Sequence, residues 1–293
     1  MHDPVYLLQS LVNGLSVGLI YGLVGIGFSV IYNSSGIVNF AQGVFVMLGG
    51  MVSHALVVRL RWPLALAALT TVLLVALLGV SLEGLIVRPM TKRKVPLYGI
   101  ILATLAWQVM VERITILTAG DQPRTFPPFT AGGPWKLGSV AVSYQTFWIF
   151  GCSMVLALLL WLFFTRTRTG WALRACSQNP EAASLLGIPV RRMVAISFGI
   201  SAGLGAIAGI LITPTQYTSF SVGEPFGISG FIAAIIGGFG SAQGALVGGL
   251  LLGETQAFAI VALGAPFKNI AALSIMLLVL LFFPRGVLGG GDT

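Results

Sequence analysis

The sequence predicts an all-α, polytopic membrane protein in which residues 1–293 form a single transmembrane domain. Three observations support this prediction: 56% of the residues are hydrophobic, 8% are charged, and long apolar runs recur along the whole chain. Soluble globular domains have about 25% charged residues, so this composition excludes that class. The excess of basic residues, 16 Lys and Arg against 8 Asp and Glu, would suggest nucleic acid as a partner of a soluble protein, but in a membrane protein it sets topology.

Eight apolar runs are each long enough to cross about 30 Å of hydrocarbon. They occupy residues 5–32, 37–58, 63–87, 97–117, 144–164, 194–212, 226–263 and 267–283. The seventh run is too long for one span and is broken by Gly237-Gly238-Phe239-Gly240-Ser241, and the first is followed by Asn33-Ser34-Ser35-Gly36. Lipid cannot satisfy the backbone of such breaks, so we expect broken or re-entrant Gly-rich helices beside about eight spans. Residues 1–14 lack a basic n-region and a cleavage site, so we interpret them as the start of a retained span.

Basic side chains cluster in two loops that are separated by two apolar runs. One loop holds Arg88, Lys92, Arg93 and Lys94, and the other holds Arg166, Arg168, Arg174, Arg191 and Arg192. Short basic loops face the cytoplasm, so we expect both loops on the cytoplasmic face and the Pro- and Gly-rich residues 118–143 outside. Arg59 and Arg61 disagree with a topology in which every run crosses the membrane in turn, because that topology places both arginines outside.

The second basic loop predicts a short capped helix. Asn179, Pro180 and Glu181 provide an N-cap side chain, a proline at the first helical position and a carboxylate at the positive end of the dipole. Gly187 ends this helix, which at about two turns is too short to be stable alone in water. We expect a second helical piece carrying Arg174 to precede it, and its apolar side to pack against a neighbour. That apolar side consists of Ala182, Leu185 and Leu186. The alternative is a basic loop that solvates the membrane surface, a role that needs no capped helix.

Two stretches in opposite halves of the chain echo one another: Asn39-Phe40-Ala41-Gln42-Gly43 and Gly240-Ser241-Ala242-Gln243-Gly244. Each follows a turn, begins with a capping residue and leads into a Gly-rich apolar helix. Paired, glycine-interrupted segments are the sequence signal of a transport pathway. The candidate pathway residues are Asn39, Gln42, Gly43, Gly237, Gly238, Gly240, Ser241, Gln243 and Glu254. A compatible alternative is that the glycines allow close helix packing.

Ionisable residues inside the apolar runs are few, namely Glu83, Glu112 and Glu254. A charge at that depth is a functional candidate by default. Glu83 and Glu112 lie beside arginines and are expected at the membrane interface, which leaves Glu254 as the pathway candidate. No relay of Asp, Glu and His runs through the apolar runs, which argues against a proton-driven pump.

The sequence carries no motif for catalysis or for a metal site. It has no Gly-Lys dipeptide, which excludes a phosphate-binding P-loop, and it has no HExxH or CxxC pattern. Cys152 and Cys176 predict neither a disulfide nor a metal site. The two histidines, His2 and His54, cannot supply a Ser-His-Asp set. We therefore expect a chain that is not an enzyme by itself and binds no metal.

Four segments, taken in order, resemble one known family: GIVNFAQGVFVMLGG, WALRACSQNPEAASLLGIPV, AAIIGGFGSAQGALVGGLLLG and FFPRGVLGG. They are similar to the permease subunits of branched-chain amino acid type ABC importers, specifically the shorter of the two permeases that pair in such systems. The resemblance covers essentially the whole chain and is specific for the family, but not for the solute. Members of the family are linked to leucine, isoleucine and valine, and others to urea, short amides or aromatic acids.

The resemblance implies that the coupling loop, residues 166–192, docks on a separate ATPase subunit. The matched positions are Arg174, Ala175, Asn179, Glu181, Ala182 and Gly187, and Leu186 lies on the apolar side of the same helix. The resemblance also implies a second homologous permease, two cytoplasmic ATPase subunits that hold ATP and Mg, an external solute-binding protein and a place in the bacterial inner membrane. The chain itself is expected to bind no cofactor, and Pro284-Arg285-Gly286 is expected on the cytoplasmic side.

Three functions from different classes fit the sequence. A permease of an importer for branched-chain amino acids, or for related small carboxylates or amides, uses the coupling loop to transmit force. An ion-coupled secondary transporter has to rely on Glu254 and the glycine breaks, and a channel or membrane scaffold leaves the loop without an energetic role. The runs contain few fixed charges and neutral candidates such as Ser29, Gln243 and Gln256, so the sequence predicts a low-affinity conduit.

Overall fold

The computed structural model of the protein describes residues 4–137 and 140–288, which form helices joined mostly by short loops. The helices are α1 (Pro4–Ser35), α2 (Gln42–His54), α3 (Leu64–Leu82), α4 (Arg88–Lys92), α5 (Leu97–Ala119), α6 (Tyr144–Arg166), α7 (Arg168–Gln178), α8 (Pro180–Leu185), α9 (Val190–Gln216), α10 (Gly223–Gly237), α11 (Ala242–Leu263) and α12 (Lys268–Phe282). Turns of π-helix at Ala55–Arg59 and Glu83–Val87 continue α2 and α3, and a 3₁₀ turn at Ala265–Phe267 precedes α12. The predicted all-α class is confirmed.

One small hairpin departs from the helical pattern. Strands β1 (Trp135–Leu137) and β2 (Val140–Val142) pair antiparallel in the long Pro- and Gly-rich loop, with Lys136 opposite Ala141. The side-chain amide of Gln9, near the start of α1, donates to the carbonyl oxygen of Ala141 at 2.8 Å. The beginning of α1 therefore lies on the same face of the molecule as this loop.

Eight helical segments in the described part of the chain are long and apolar enough to cross a membrane. They are Val5–Ser35, Gln42–Arg59, Leu64–Lys92, Leu97–Ala119, Tyr144–Arg166, Val190–Gln216, Ala242–Leu263 and Ala265–Phe282. The predicted seventh run divides into two helices, because α10 ends at Gly237 and α11 begins at Ala242. With 15 residues, or about 22 Å, α10 is a partial span, so the chain is a multi-pass membrane protein with one broken segment.

The first break differs from its predicted position. The helix α1 continues through Ser34 and Ser35, because both hydroxyls donate to the carbonyl oxygen of Ile31, at 3.0 and 2.8 Å, within the last turn. It ends at Gly36, whose φ of 67° suits glycine. The next five residues, 37–41, are not helical although they are largely buried, so α2 begins at Gln42 rather than at the predicted Ile37.

The core forms around α1, which packs against α9, α10 and α11. Leu19, Ile20 and Leu23 of α1 are completely or almost completely buried. The close approach of α1 and α11 depends on glycine, because a Cβ added to Gly249 would collide with the backbone of Gly18 and Gly22. This is the small-residue packing that the glycine pattern predicted. By contrast, α3, α6 and α12 expose large apolar side chains outward, as lipid-facing helices do.

The opposite face carries the coupling loop and the end of the chain. The backbone N–H of Val287 donates to Ile236 and that of Leu288 to Gly237, which ties the C-terminal segment to the end of α10. Since Gly240, just after α10, shares a cavity lining with Arg174, residues 284–286 lie on the same face as the coupling loop. Arg59 lies near the other face, where His54 Nδ1 is 2.8 Å from the carbonyl oxygen of Thr125.

Candidate coupling surface and inner cavity

The coupling loop folds locally as two capped helices. The hydroxyl of Thr167 accepts from Gly170 N at 3.0 Å and begins α7, and Asn179 Oδ1 accepts from Ala182 N at 3.0 Å and begins α8. Pro180 occupies the first position of α8. Gly187, with a φ of 81°, ends this helical segment. The predicted cap, helix and stop are all present, because each depends on neighbours in the sequence.

A small buried cluster holds α8 in place. Leu173 and Cys176 of α7, Ala183 of α8 and Met193 of α9 pack together. Burial raises the pKa of the Cys176 thiol. The inward contact of α8 is therefore made by Ala183, which corrects the prediction that the Ala182 side would do so.

The predicted apolar side of α8 is exposed. Leu185 is 89% and Leu186 is 81% exposed, and Ala182 is exposed beside them. A helix of six residues that rests on one alanine leaves its other side chains in solvent. Adjacent exposed leucines at the tip of a short, anchored helix are typical of a surface that binds a partner.

The charged side chains of the coupling loop, residues 166–192, form no ion pairs within the described part of the chain. Arg174 and Glu181 are both exposed, and Ala175 of α7 is half-buried. Within residues 4–137 and 140–288, the single ion pair joins Arg88 to the buried Glu83 at 2.7 Å, next to the first basic loop. Arg174 and Glu181 therefore do not brace the loop through ion pairs in this chain.

A cavity of about 550 Å³ lies between α1, α6, α7 and α11, under the coupling loop. Its polar lining residues are Ser29, Asn33, Ser34, Arg174, Ser177, Gly240, Ser241 and Gln243. Three predicted pathway residues, Gly240, Ser241 and Gln243, thus share a cavity with the predicted coupling residue Arg174. No local pattern in the sequence indicates this juxtaposition, because the residues lie in distant segments.

The segment of residues 237–241, which separates α10 from α11, forms one wall of the cavity. Ser241 is its capping residue, since Ser241 Oγ accepts from Gly244 N at 3.0 Å, as predicted. The side-chain amide of Asn33 donates to the carbonyl oxygen of Gly240 at 2.5 Å, which ties the break to the end of α1. Gly237 packs against the backbone of Gly244, and Gly238 contacts Gly286.

The stretch of residues 39–43, which leads into α2, is buried away from this cavity. Gln42 Nε2 donates to the carbonyl oxygen of Ser201 at 3.0 Å, and Ser201 Oγ contacts Gln42 Oε1 at 2.7 Å and the carbonyl oxygen of Gly27 at 2.8 Å. Ser201 lies 11 residues after Val190, the start of α9. At 1.5 Å per residue this is about 16 Å along a helix of 27 residues, so α2 begins beside the middle part of α9.

Asn39 differs from the predicted cap. Its Oδ1 accepts from Ala41 N at 3.2 Å, forming a local turn, while α2 begins at Gln42 without a side-chain cap. Its Nδ2 is buried and has no partner among the described residues. Gly43 packs on the backbone of Gly223 at the start of α10. Asn39, Gln42 and Gly43 do not line the inner cavity.

Two acidic residues outside the cavity, Glu254 and Glu224, lie at contacts between helices. Glu254 Oε1 is buried without a hydrogen-bond partner in the described part of the chain and lies against Gly14 of α1. Glu224, which the sequence reasoning missed, is exposed in the first turn of α10, beside the Gly223 that contacts Gly43. Glu224 followed by Pro225 is a helix-start signal, like Pro180 followed by Glu181. This signal could have predicted the start of α10 from the sequence.

No three His, Cys, Asp or Glu side chains converge as metal ligands within the residues that the structure describes. The arrangement instead combines a hydrogen-bonding cavity, an exposed apolar helix tip and two backbone breaks in a membrane bundle.

Comparison with known proteins identifies the family. The family model for the permease component of branched-chain amino acid transport systems matches residues 10–283. The high-affinity branched-chain amino acid transport system permease protein BraD of Pseudomonas aeruginosa is 33% identical over 99% of this chain and 98% of its own length. The corresponding permease LivH of Escherichia coli is 32% identical over 97% of this chain and 96% of its own length.

A solved structure, PsaBC from Streptococcus pneumoniae in complex with Fab, has a similar fold, with a TM-score of 0.51 and 15% sequence identity. It covers 96% of this chain, and this chain covers 92% of the matched one. The fold likeness and the full-length sequence matches agree, and the chain belongs to the permease family of branched-chain amino acid transport systems.

Proposed function

We propose that this chain is the membrane-spanning permease subunit of an ATP-driven importer that carries branched-chain amino acids across the bacterial inner membrane. The family match and the full-length similarity to BraD and LivH support the solute class. The observation that carries the coupling role is the capped helix α8, which presents Leu185 and Leu186 to solvent. The partners are a second homologous permease, two cytoplasmic ATPase subunits and an external solute-binding protein.

In the proposed mechanism, α8 inserts into a groove on an ATPase subunit. Burying Leu185 and Leu186 there removes apolar surface from water and supplies the attraction. The chain itself holds no cofactor, and ATP and Mg are bound by the ATPase subunits. Since α7 packs against α1, α6 and α9, a movement of α8 is transmitted through α7 to the walls of the inner cavity.

Solute selection is assigned to the external binding protein. The residues lining the inner cavity include neutral polar groups such as Ser29 and Gln243, one basic residue, Arg174, and no carboxylate. Such a lining lacks an ion-pair partner for the ammonium group of an amino acid, so the cavity is not a tight binding site for the solute. The permease pair with its ATPase should therefore show no micromolar binding of leucine, which would require about −8 kcal/mol.

The coupling role is tested by Ala182→Arg in the reconstituted complex. A bulky charge at this exposed position of α8 cannot be desolvated cheaply in a docking groove, so uptake and the stimulation of ATPase activity by loaded binding protein should both fall. Thr91→Arg is the matched control, because Thr91 is exposed on the same face and lies outside the coupling loop. Unchanged stimulation in Ala182→Arg would remove α8 from the mechanism. Uptake driven by an ion gradient in the absence of the ATPase would instead favour a secondary transporter.

A further inference from the structure

The inner cavity concentrates hydrogen-bond donors at one end. The helix α11 begins there, and Ser241 uses its hydroxyl and its carbonyl oxygen to accept from Gly244 N and Ala245 N. The N–H groups of Ala242 and Gln243, at the first two positions of α11, have no partner among the described residues. Free N–H groups at the N-terminus of a long helix attract anions, and Arg174 adds a full positive charge to the same lining.

A buried hydroxyl in the same lining independently indicates a missing ligand. Ser29 of α1 is 1% exposed, and its Oγ has no hydrogen-bond partner in the part of the chain that the structure describes. Buried hydroxyl groups in proteins nearly always have a partner. By comparison, Ser34 on the same helix is paired with Ser197 at 2.5 Å. An oxygen-bearing ligand in the cavity would provide the acceptor that Ser29 lacks.

The remainder of the cavity is apolar and is bordered by a lipid-facing helix. Its apolar lining includes Leu160 and Trp161 of α6 and Leu246 and Val247 of α11. Trp161 is 45% exposed, so it faces both the cavity and the outside of the bundle. Tryptophan is enriched at the membrane interface, and the basic coupling loop above the cavity marks the cytoplasmic side. The ligand therefore has an anionic head and an apolar tail.

The chemistry of the lining suits an anionic lipid better than an amino acid. No Asp or Glu is among the lining residues, so the cavity offers a carboxylate or phosphate group many donors but gives an ammonium group no ion-pair partner. A volume of about 550 Å³ exceeds what a headgroup phosphate needs and leaves room for part of an acyl chain. From this geometry we infer that the cavity binds an anionic phospholipid of the cytoplasmic leaflet, its phosphate at Ser29, Arg174 and the start of α11.

This lipid would join α7 of the coupling loop to α1 and α11 of the core. The inference does not rest on the proposed transport function, because it uses the cavity alone. It predicts that the purified full-length chain retains phosphatidylglycerol in preference to phosphatidylcholine. The preference is measured by native mass spectrometry after the protein is exchanged into nanodiscs with defined mixtures of the two lipids.

The decisive variant is Gln243→Glu. A carboxylate in the first turn of α11 is favourable for the helix itself, so the fold is preserved, but it repels a phosphate bound at the same place. We expect phosphatidylglycerol binding to weaken about fivefold or more, with the thermal stability of the lipid-free protein unchanged or raised. Thr91→Glu is the matched control, because Thr91 is exposed on the same face and does not line the cavity. Ser29→Ala, which removes the unpartnered hydroxyl without adding bulk, should also weaken binding.

Four results would overturn the inference. Equal loss in Thr91→Glu and Gln243→Glu would indicate general surface charge, and unchanged binding in Ser29→Ala together with Gln243→Glu would place the lipid elsewhere. Displacement of the lipid by inorganic phosphate at comparable concentration would make the cavity a site for free phosphate. Displacement by leucine would make it a solute site.

Discussion

Gln42 shows how a polar side chain in a membrane bundle acquires a structural task. Both groups of its side-chain amide are bonded to Ser201, and the residue is completely buried. The bond fixes the point beside the middle part of α9 at which α2 begins. Any contribution of Gln42 to the pathway therefore has to be compatible with this brace.

Replacing Gln42 with leucine should lower stability. The change removes both hydrogen bonds to Ser201 and leaves the Ser201 carbonyl oxygen without this donor, a loss of about 1–3 kcal/mol. The expected result is a lower unfolding temperature of the purified protein in detergent, measured by intrinsic fluorescence. The exposed Gln122→Leu in the outer loop is the control and should have no such effect. An unfolding temperature equal to that of the wild type would show that the brace is dispensable.

Two helical glycines, Gly49 and Gly151, differ in the space around them. A Cβ on Gly49 of α2 would meet the backbone of Ala206 on α9, whereas a Cβ on Gly151 of α6 would meet nothing within 4 Å. We expect Gly49→Ala to destabilise by about 1–3 kcal/mol through overpacking. Gly151→Ala should be neutral or slightly stabilising, because alanine is the better helix former. Equal unfolding temperatures for the two variants would contradict the close packing of α2 on α9.

At the scale of elements, α8 depends on its cap more than an ordinary helix does. It has six residues and one buried side chain, Ala183, so little else opposes its unfolding. Asn179→Ala removes the acceptor for Ala182 N and should cost the helix about 1 kcal/mol.

The expected effects of Asn179→Ala are faster amide hydrogen exchange over residues 182–186 and weaker coupling of ATPase activity to uptake. Asn179→Asp keeps the capping oxygen and should behave like the wild type in both measurements. If exchange is unchanged in the alanine variant, the partner-free helix is held by contacts other than its cap.

The stretches of residues 39–43 and 237–241 both pack against α10 through aromatic side chains. Phe40 of the stretch 39–43 and Phe239 of the stretch 237–241 both contact Phe231 of α10, with ring centroids 5.2 and 5.7 Å apart. The glycines of the two stretches contact different partners, since Gly43 lies on Gly223 and Gly237 on Gly244. The two segments therefore share an aromatic neighbour, Phe231, but no backbone contact through these glycines.

At the scale of the whole molecule, the arrangement of faces makes a topology prediction. With Cys152 replaced by serine, a cysteine introduced at Gln122 should react with a membrane-impermeant maleimide in intact cells. A cysteine at Leu186 should react after the membrane is permeabilised, because the coupling loop is expected on the cytoplasmic face. Labelling of Leu186→Cys from outside would reverse the orientation.

The native Cys176 provides an internal reference for this experiment. Burial raises the pKa of its thiol, and the thiolate is the reactive form, so its labelling should be slow near neutral pH and increase as the pH rises. A fast reaction of Cys176 at neutral pH would show that the small cluster around Ala183 opens readily.

Much of the architecture was determined by local signals. The apolar runs, the Asn179 cap, the Gly187 stop and the break before Ala242 each depend on residues that are neighbours in the chain. Hydrophobic length and capping are properties of short segments, so the sequence alone was sufficient to predict them. The family resemblance rested on the same segments, and the comparisons confirmed it.

The tertiary structure decided what those segments contact. Gln42 and Ser201 are 159 residues apart, and Asn33 and Gly240 are 207 apart, so no local pattern indicates either pair. The same holds for the cavity that joins Ser29 to Arg174, and for the choice of Ala183 rather than Leu186 as the inward contact of α8. Helix packing in a membrane depends on the fit of small side chains and on buried hydrogen bonds between distant segments, which become visible when the helices are assembled.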